Sequence, residues 1–474
     1  MLFTSLSTIL LILLGGIAAV LVWGAIFVTC VNAWAGATIL YCAILTELVV
    51  PTAVKIGILV YPADAASMLL LLALAYRTVV LGKANCIPLA WWLLGAIQVA
   101  LFVWGLALYG TAAGVGYRTH FYVWIGAAYL ATFDYGDRKW RTFIRLIEFL
   151  AAILAVIVIY RWVRGSFDPL YQAQLDELVT TGIRLRVIGS GAALMIGIAF
   201  LASVHAIVTD RANGIRWLSS LVFGLLVVLL QHRSVWVASI SGLLVMAVLE
   251  ARRHRAAAMR FMLLAFAITA VVSFGTLASR STTTSVESQA ESAFGSGGTF
   301  MGFRVPGWLA LSKEWVSSGS PITYLIGKPY GSGFKRYIYG FRSKPVEVAP
   351  HDQYIHLLFR GGLIGLACFL WVIGVAMRHL WISQKLDRSD AYSTLIFSII
   401  VALLLYFIPY GIGYEQIAVI ALILLAARPQ ARSYSLGYTF GANEETAGLF
   451  FGRSPRTAGT GTARSSSNQE SHGE

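Results

Sequence analysis

Apolar runs long enough to cross a membrane recur along the chain and constrain its fold more than any other feature. They lie near residues 5–29, 32–50, 64–82, 88–110, 117–133, 143–162, 187–207, 215–231, 234–250, 259–278, 355–377, 393–410 and 412–427. A helix needs about 20 apolar residues to cross a bilayer. Only 12% of the residues are charged, against about 25% in soluble domains. The sequence therefore excludes a water-soluble protein. It predicts an all-α polytopic membrane protein with about 12 or 13 transmembrane helices.

Basic residues in short connectors predict the orientation, because cytoplasmic connectors carry the excess of Lys and Arg. The basic connectors alternate along the chain and contain Arg138, Lys139, Arg141, Arg211, Arg216, Arg252, Arg253, Arg255, Arg260, Arg378, Lys385 and Arg388. We expect them to share the cytoplasmic side, which leaves residues 163–186, 231–233 and 279–354 outside. The same rule accounts for the net charge of +14, so no nucleic-acid partner is expected.

The pattern divides the chain into four parts. We expect an N-terminal transmembrane bundle (1–278), a large outer loop (279–354), C-terminal transmembrane helices (355–428) and a disordered cytoplasmic tail (429–474). Within the loop, apolar residues at three- and four-residue intervals predict an amphipathic helix over 305–316. Glycines at 327, 331, 333 and 340 predict turns after it.

Three arginines are candidates for binding an anionic substrate on the outer side. Arg186 and Arg233 each adjoin an apolar run, and Arg304 lies in the outer loop; Arg184 is a further candidate. A charge at the membrane surface is costly unless it is partnered or functional, and a guanidinium matches phosphate geometry with two parallel hydrogen bonds. The alternative is that the arginines only extend towards lipid phosphates.

His351 is the candidate general base, because an imidazole at the mouth of a basic cleft can accept a proton near neutral pH. The alternative is a structural histidine, which is the role we expect for His356. Glu415, between the last two spans, is a further candidate. Neither the histidines nor the cysteines have the spacing of metal ligands, so we expect no metal or other cofactor and no disulfide framework.

Four motifs in this order resemble the bacterial O-antigen ligase and O-antigen polymerase superfamily. They are Arg186-Val187-Ile188-Gly189-Ser190, Gln231-His232-Arg233-Ser234, Arg304-x-x-x-Trp308 followed by the glycine-rich 327–334, and His351-Asp352-Gln353-Tyr354 followed by Gly362-Leu363-Ile364-Gly365. The similarity covers residues 180 to 380. The chain departs from the family pattern in two places: Asp352 stands where the family has Asn, and His232 stands where it has Ser.

The resemblance implies a C-type glycosyltransferase fold in the bacterial inner membrane, with the active site facing the periplasm. The donor would be a glycan linked to undecaprenyl diphosphate, and the reaction would be metal-independent and invert the anomeric configuration. Arg186, Arg233 and Arg304 would hold the diphosphate, and His351 would accept the proton of the acceptor hydroxyl.

Three activities remain open at this level. The first is a polymerase that joins repeat units of O-antigen or exopolysaccharide, which we favour because the motifs depart from those of a standard ligase. The second is a ligase that transfers glycan to lipid A-core. The third is a polysaccharide transporter or flippase, although transporters often have symmetric halves with broken helices near the midplane, whereas here the charges concentrate at one face.

Overall fold

The computed structural model describes residues 24–49, 54–56, 58–136, 139–164, 187–209, 214–230, 232–252, 304–335, 350–386 and 391–428. The candidates Arg184 and Arg186, the predicted span near 259–278 and the predicted tail lie outside these residues. The domain boundaries proposed above therefore stay predictions.

The described residues are almost entirely helical. The helices are α1 (Gly24–Val31), α2 (Ala33–Val49), α3 (Pro62–Ala75), α4 (Leu89–Tyr109), α5 (Thr111–Ala131), α6 (Lys139–Arg164), α7 (Ser190–Val208), α8 (Gly214–Leu229), α9 (Arg233–Ala251), α10 (Val305–Val316), α11 (Pro321–Ile326), α12 (Gln353–Leu386), α13 (Ala391–Tyr406) and α14 (Ile417–Ala427). A π-helical turn, Tyr76–Val80, extends α3, and 3₁₀ turns form at Lys83–Cys86 and Tyr414–Gln416. The exception is an antiparallel pair of strands, β1 (Val54–Ile56) and β2 (Ile58–Val60).

These helices confirm an all-α polytopic membrane protein. Within the described part of the chain, six helices are long and apolar enough to cross a membrane, or seven if the bent pair α1–α2 forms one span. The helices α8, α13 and α14 are apolar but shorter. Each run predicted from 32–50 to 234–250, and each of the last three, coincides with a described helix. The amphipathic helix predicted over 305–316 is also confirmed.

Two local features depart from a simple series of spans. Pro51 and Pro62 bracket the hairpin β1–β2, where the apolar pattern left the choice of one span or two unresolved. The helix α12 is broken at Arg360 and Gly362, whose backbone angles are not helical. Gly362 has a φ of 61°, a conformation that costs a residue with a side chain more than it costs glycine. The run near 355–377 is therefore a kinked helix.

Hydrogen bonds between helix ends define one end of the bundle, which we call the site end. His232, before α9, has its Nε2 atom 3.0 Å from the Ile188 carbonyl oxygen, which precedes α7. The Tyr406 hydroxyl, at the end of α13, donates to Ser190 Oγ on α7 at 3.0 Å. The Gln353 amide, at the start of α12, donates to the Phe407 carbonyl at 2.9 Å. The site end therefore holds the N-termini of α7, α9 and α12 and the C-terminus of α13.

The described helix ends that flank the basic connectors lie towards the opposite end, as the alternation of helices requires. Residues near the far ends of α7 and α9 meet there, with His205 Nε2 3.8 Å from a Glu250 carboxylate oxygen. Arg428, after α14, donates to the carbonyl of Phe133, beyond α5, at 3.1 Å.

Candidate functional site

Arg304 and His351 meet at the ring of Tyr410, although the three residues lie in separate parts of the chain. The Arg304 guanidinium carbon is 4.6 Å from the centroid of the Tyr410 ring, and Nη1 donates to the Pro409 carbonyl at 3.0 Å. The His351 ring packs edge-on against Tyr410, with 6.2 Å between ring centroids. Tyr410 in turn stacks on Tyr406, whose ring is 5.3 Å away. Two predicted site residues thus share one aromatic neighbour.

The Arg-x-x-x-Trp spacing places both of its side chains against the segments that carry the site. One helical turn after Arg304, the indole Nε1 of Trp308 donates to the Pro350 carbonyl at 2.7 Å. Pro350 immediately precedes His351. Residues four apart lie on one face of a helix, so α10 can contact Pro409 with Arg304 and Pro350 with Trp308.

His351 has a strained backbone. Its φ is 48°, and it is the one non-glycine residue with positive φ in the described part of the chain. Histidine is among the residues that adopt this left-handed conformation more readily than most. Strain of this kind persists where the surroundings hold it, and it often accompanies function. The hydrogen bonds of Pro350 and Gln353 to neighbouring elements hold it here.

Asp352 caps the helix that follows His351. Its Oδ1 accepts a hydrogen bond from the Ile355 amide at 2.8 Å, and the side chain is buried. Burial raises the pKa of the Asp352 carboxyl to about 6, while hydrogen bonds from the backbone amides of Ile355 and Tyr354 act in the opposite direction. Asp and Asn are comparable helix caps. Asp352, where the resembled motif has Asn, therefore preserves the cap.

Arg233 is the first residue of α9, directly after His232. Since His232 contacts the Ile188 carbonyl, α9 begins beside the stretch that leads into α7. Arg186 precedes Ile188 by two residues, outside the described part of the chain. His232 thus connects the motif that contains Arg233 to residues 187–190 of the motif that begins at Arg186. It is also a position at which the chain differs from the resembled pattern.

Glu415 lies against the N-terminus of α7. A Cβ atom added to Gly191 would come within 2.8 Å of the Glu415 Oε2 atom, and one added to Gly413 within 2.4 Å. Glycines at both positions thus leave room for the carboxylate. The N-terminus of a helix favours a negative charge. The structure therefore gives Glu415 an electrostatic neighbour that the sequence could not name.

Arg360 is a charged residue inside an apolar helix, and sequence reasoning did not select it. Its guanidinium donates to Ser332 Oγ at 2.7 Å and to the carbonyls of Pro329, Lys328 and Gly333, the last two at 3.3 Å. It also lies 4.6 Å from the Phe334 ring centroid. The rarity of charge within a span was the available signal. Arg360 fixes the glycine-rich loop 327–335 to α12.

The loop is also wedged between α12 and α4. The amide of Lys328 donates to the Phe359 carbonyl at 2.6 Å, and that of Tyr330 donates to the Leu101 carbonyl at 3.2 Å. A Cβ atom on Gly105 would come within 2.2 Å of the Tyr330 carbonyl oxygen. The predicted turn at Gly331 is confirmed, and Gly327 and Gly333 also have the positive φ that glycine accommodates most easily. Gly340 lies outside the described residues.

His356 packs against different aromatic rings from those that contact His351. Its ring stacks on that of His120 from α5, with centroids 4.3 Å apart and planes inclined by 13°. The Phe334 ring lies 5.3 Å away. These contacts place His356 in an aromatic cluster, and its structural role stays a prediction.

The arrangement can bind anions and accept a proton. Arg304 uses Nη1 for Pro409, and a guanidinium has five N–H donors in all, so it can also donate to phosphate oxygens. No group of three or more His, Cys, Asp or Glu side chains could hold a metal within the described residues. The four cysteines are free.

No protein-family model matches the chain, and no curated protein matches it.

Proposed function

We propose that the protein is an inner-membrane glycosyltransferase acting at the periplasmic face. Its donor is a glycan linked to undecaprenyl diphosphate, and it polymerises repeat units of O-antigen or exopolysaccharide. The contact of Arg304 and His351 with Tyr410 carries the proposal. Both side chains contact one aromatic ring, so a group that can bind phosphate lies near a group that can accept a proton. The motif resemblance implies the same pair of groups.

In the proposed reaction, a hydroxyl oxygen of the acceptor glycan attacks the anomeric carbon of the donor. The bond from that carbon to the diphosphate oxygen breaks, and the bonding electrons leave with the diphosphate. His351 accepts the hydroxyl proton. Arg304, Arg233 and Arg186 stabilise the charge that develops on the diphosphate. Attack opposite the leaving group inverts the anomeric configuration.

Glu415 has a supporting role in this proposal, and Arg184 stays a further candidate for binding the diphosphate. The Glu415 carboxylate occupies space at the N-terminus of α7. It therefore limits how closely a second anion can approach that helix, and it directs the diphosphate towards the arginines. In this proposal guanidinium groups stabilise the charge on the diphosphate, and no step uses a metal ion.

A transfer assay tests the function. Purified full-length protein is incubated with lipid-linked repeat units, with and without added lipid A-core, and the products are separated by size. We expect a ladder of extended chains without lipid A-core. Single transfer only to lipid A-core would replace the polymerase with a ligase. If neither product forms while a known polymerase is active on the same donor, the transferase proposal is wrong.

A further inference from the structure

The helices α10 and α11, which we call the outer helix pair, expose apolar side chains on one face each. On α10, Leu309 is 65% exposed and Val316 is 64% exposed; on α11, Ile322 is 56% and Leu325 is 50% exposed. Residues seven apart, or three apart, lie on the same side of a helix. Covering such a face is worth about 25 cal/mol for each Å² of apolar surface removed from water. Large apolar side chains that are exposed together on two neighbouring helices therefore indicate a partner surface.

The pair is attached to α12 at its break. A Cβ atom on Gly362 would come within 2.3 Å of the carbonyl carbon of Leu325, so the end of α11 rests directly on the kink. The next residue, Leu363, is exposed, as are Leu370 and Trp371 further along α12. The end of α11 thus adjoins a helix that can cross a membrane and that exposes apolar side chains beyond its break.

The length of α12 places this junction at a bilayer boundary. The unbroken part of α12 after Gly362, residues 363–385, has 23 residues, which at about 1.5 Å per residue extends about 35 Å. The hydrocarbon core is about 30 Å thick, so the part of α12 after the break is long enough to cross it. If the exposed Arg378 marks one boundary, a core of about 20 residues ends near residue 359. The junction at Gly362 therefore lies close to the other boundary.

The remaining side chains of the pair suit that depth. Trp315 and Tyr324 pack edge to face, with 5.0 Å between ring centroids; both residue types are enriched at membrane interfaces. Lys313 is exposed and lies between Leu309 and Val316 on the same side of α10. A lysine there can bury its aliphatic stem in the acyl chains and extend its ammonium group to lipid phosphates.

We propose that the outer helix pair is a lipid-binding surface. Leu309, Val316, Ile322 and Leu325 insert among acyl chains at the bilayer boundary, next to the exposed face of α12. Lys313 reaches the phosphate layer. The pair thereby holds α10, and Arg304 before it, at headgroup depth. The lipid contact itself does not depend on the proposed transferase activity.

Spin labels on single cysteines test this contact without any glycan substrate. The background is the full chain with its four natural cysteines replaced by serine or alanine, reconstituted in vesicles of phosphatidylethanolamine and phosphatidylglycerol. Leu309→Cys, Val316→Cys, Ile322→Cys and Leu325→Cys each carry one label, and Trp371→Cys is the lipid-exposed reference. Collision rates are measured with oxygen, which concentrates in lipid, and with a water-soluble nickel chelate.

We expect oxygen to relax the labels at Ile322 and Leu325 more strongly than nickel, with the same preference at Leu309 or Val316. The label at Trp371 should show the preference most strongly, because it lies deeper. Stronger relaxation by nickel at Ile322 and Leu325 would overturn the proposal, since the pair would then face water. Shielding from both relaxing agents would also overturn it, because a protein surface would then cover the face.

Discussion

Three structural features coincide at His351. Its backbone is left-handed, its ring contacts Tyr410, and the residue after it caps α12. If it is the general base, His351→Ala should lower transfer about 10²- to 10⁴-fold. Donor binding and the amount of protein in the membrane should stay normal, because the arginines remain.

His356→Ala is the matched control for His351. It removes a ring stacked on His120, away from Tyr410, and should keep most of the activity while lowering thermal stability. The comparison is made from initial rates of transfer and unfolding temperatures. Near-normal transfer by folded His351→Ala would remove the base assignment and make Glu415 the next candidate.

Arg304→Lys tests the fork geometry of a guanidinium separately from its charge. An ammonium group cannot make two parallel hydrogen bonds to phosphate, and a charged hydrogen bond contributes about 1.5–3 kcal/mol. We expect transfer to fall about 10- to 100-fold, with Arg186→Lys and Arg233→Lys behaving alike. Lys335→Ala, an exposed position in the same outer segment, is the control. Full activity in all three lysine variants would favour the alternative, in which the arginines only extend towards lipid phosphates.

Asp352 gives a prediction about pH. Its pKa is about 6 in the folded protein against an ordinary value of 3.8. The folded state therefore binds this proton more tightly, and its contribution to stability is lost as pH rises from about 4 to about 6. Asp352→Asn keeps a capping oxygen and stays neutral. The unfolding temperature of Asp352→Asn relative to wild type should therefore rise over that range. A difference that is constant with pH would contradict the assigned burial.

At the scale of elements, the broken helix α12 and the loop 327–335 form one unit. The kink at Arg360 and Gly362 lets α11 approach the backbone closely, and the Arg360 guanidinium satisfies several loop carbonyls at once. A kink in a long helix needs such a local cause. The apolar run predicted the helix, but the position of its break depends on what packs against it.

Arg360→Ala should loosen the loop. It leaves buried carbonyl groups without their donor, at about 1–3 kcal/mol for each one that water cannot reach. We expect faster hydrogen exchange in peptides covering 327–335 and a lower unfolding temperature, with partial recovery in Arg360→Lys. Arg378→Ala, an exposed arginine on the same helix, should change neither. Unchanged hydrogen exchange in Arg360→Ala would contradict this prediction, because the packing of the loop between α4 and α12 would then hold it without Arg360.

At the scale of the whole molecule, the alternation of described helices gathers Arg233, Arg304, His351 and Glu415 towards the site end. The described helix ends that flank the basic connectors lie towards the opposite end. Because cytoplasmic connectors carry the basic excess, we expect the site end to face outward.

Reporter fusions test that orientation. An alkaline phosphatase fused at Ser288 should be active, because this enzyme folds only outside the cytoplasm, whereas a fusion at Ser465 should be inactive. A fluorescent protein that folds only in the cytoplasm should give the reverse pattern. The same behaviour of one reporter at both positions would refute the topology.

The sequence by itself determined the membrane class, nearly all of the described spans, the helix over 305–316 and the turn at Gly331. Each depends on hydropathy or backbone preference within a short window, and a helix satisfies its own backbone hydrogen bonds in lipid. The motif order also selected Arg304 and His351. Their roles as phosphate ligand and base stay predictions, as do those of Arg186 and Arg233.

Only the tertiary structure decided what these residues contact. Arg304 and Pro409 are 105 residues apart in sequence, and Tyr406 and Ser190 are 216 apart. No local pattern encodes such a pairing, because it depends on which helices pack together and how deeply each is set. Tyr410 and Arg360 were missed for this reason. The roles of an aromatic residue in a turn and of an arginine in a span depend on which other elements pack against them.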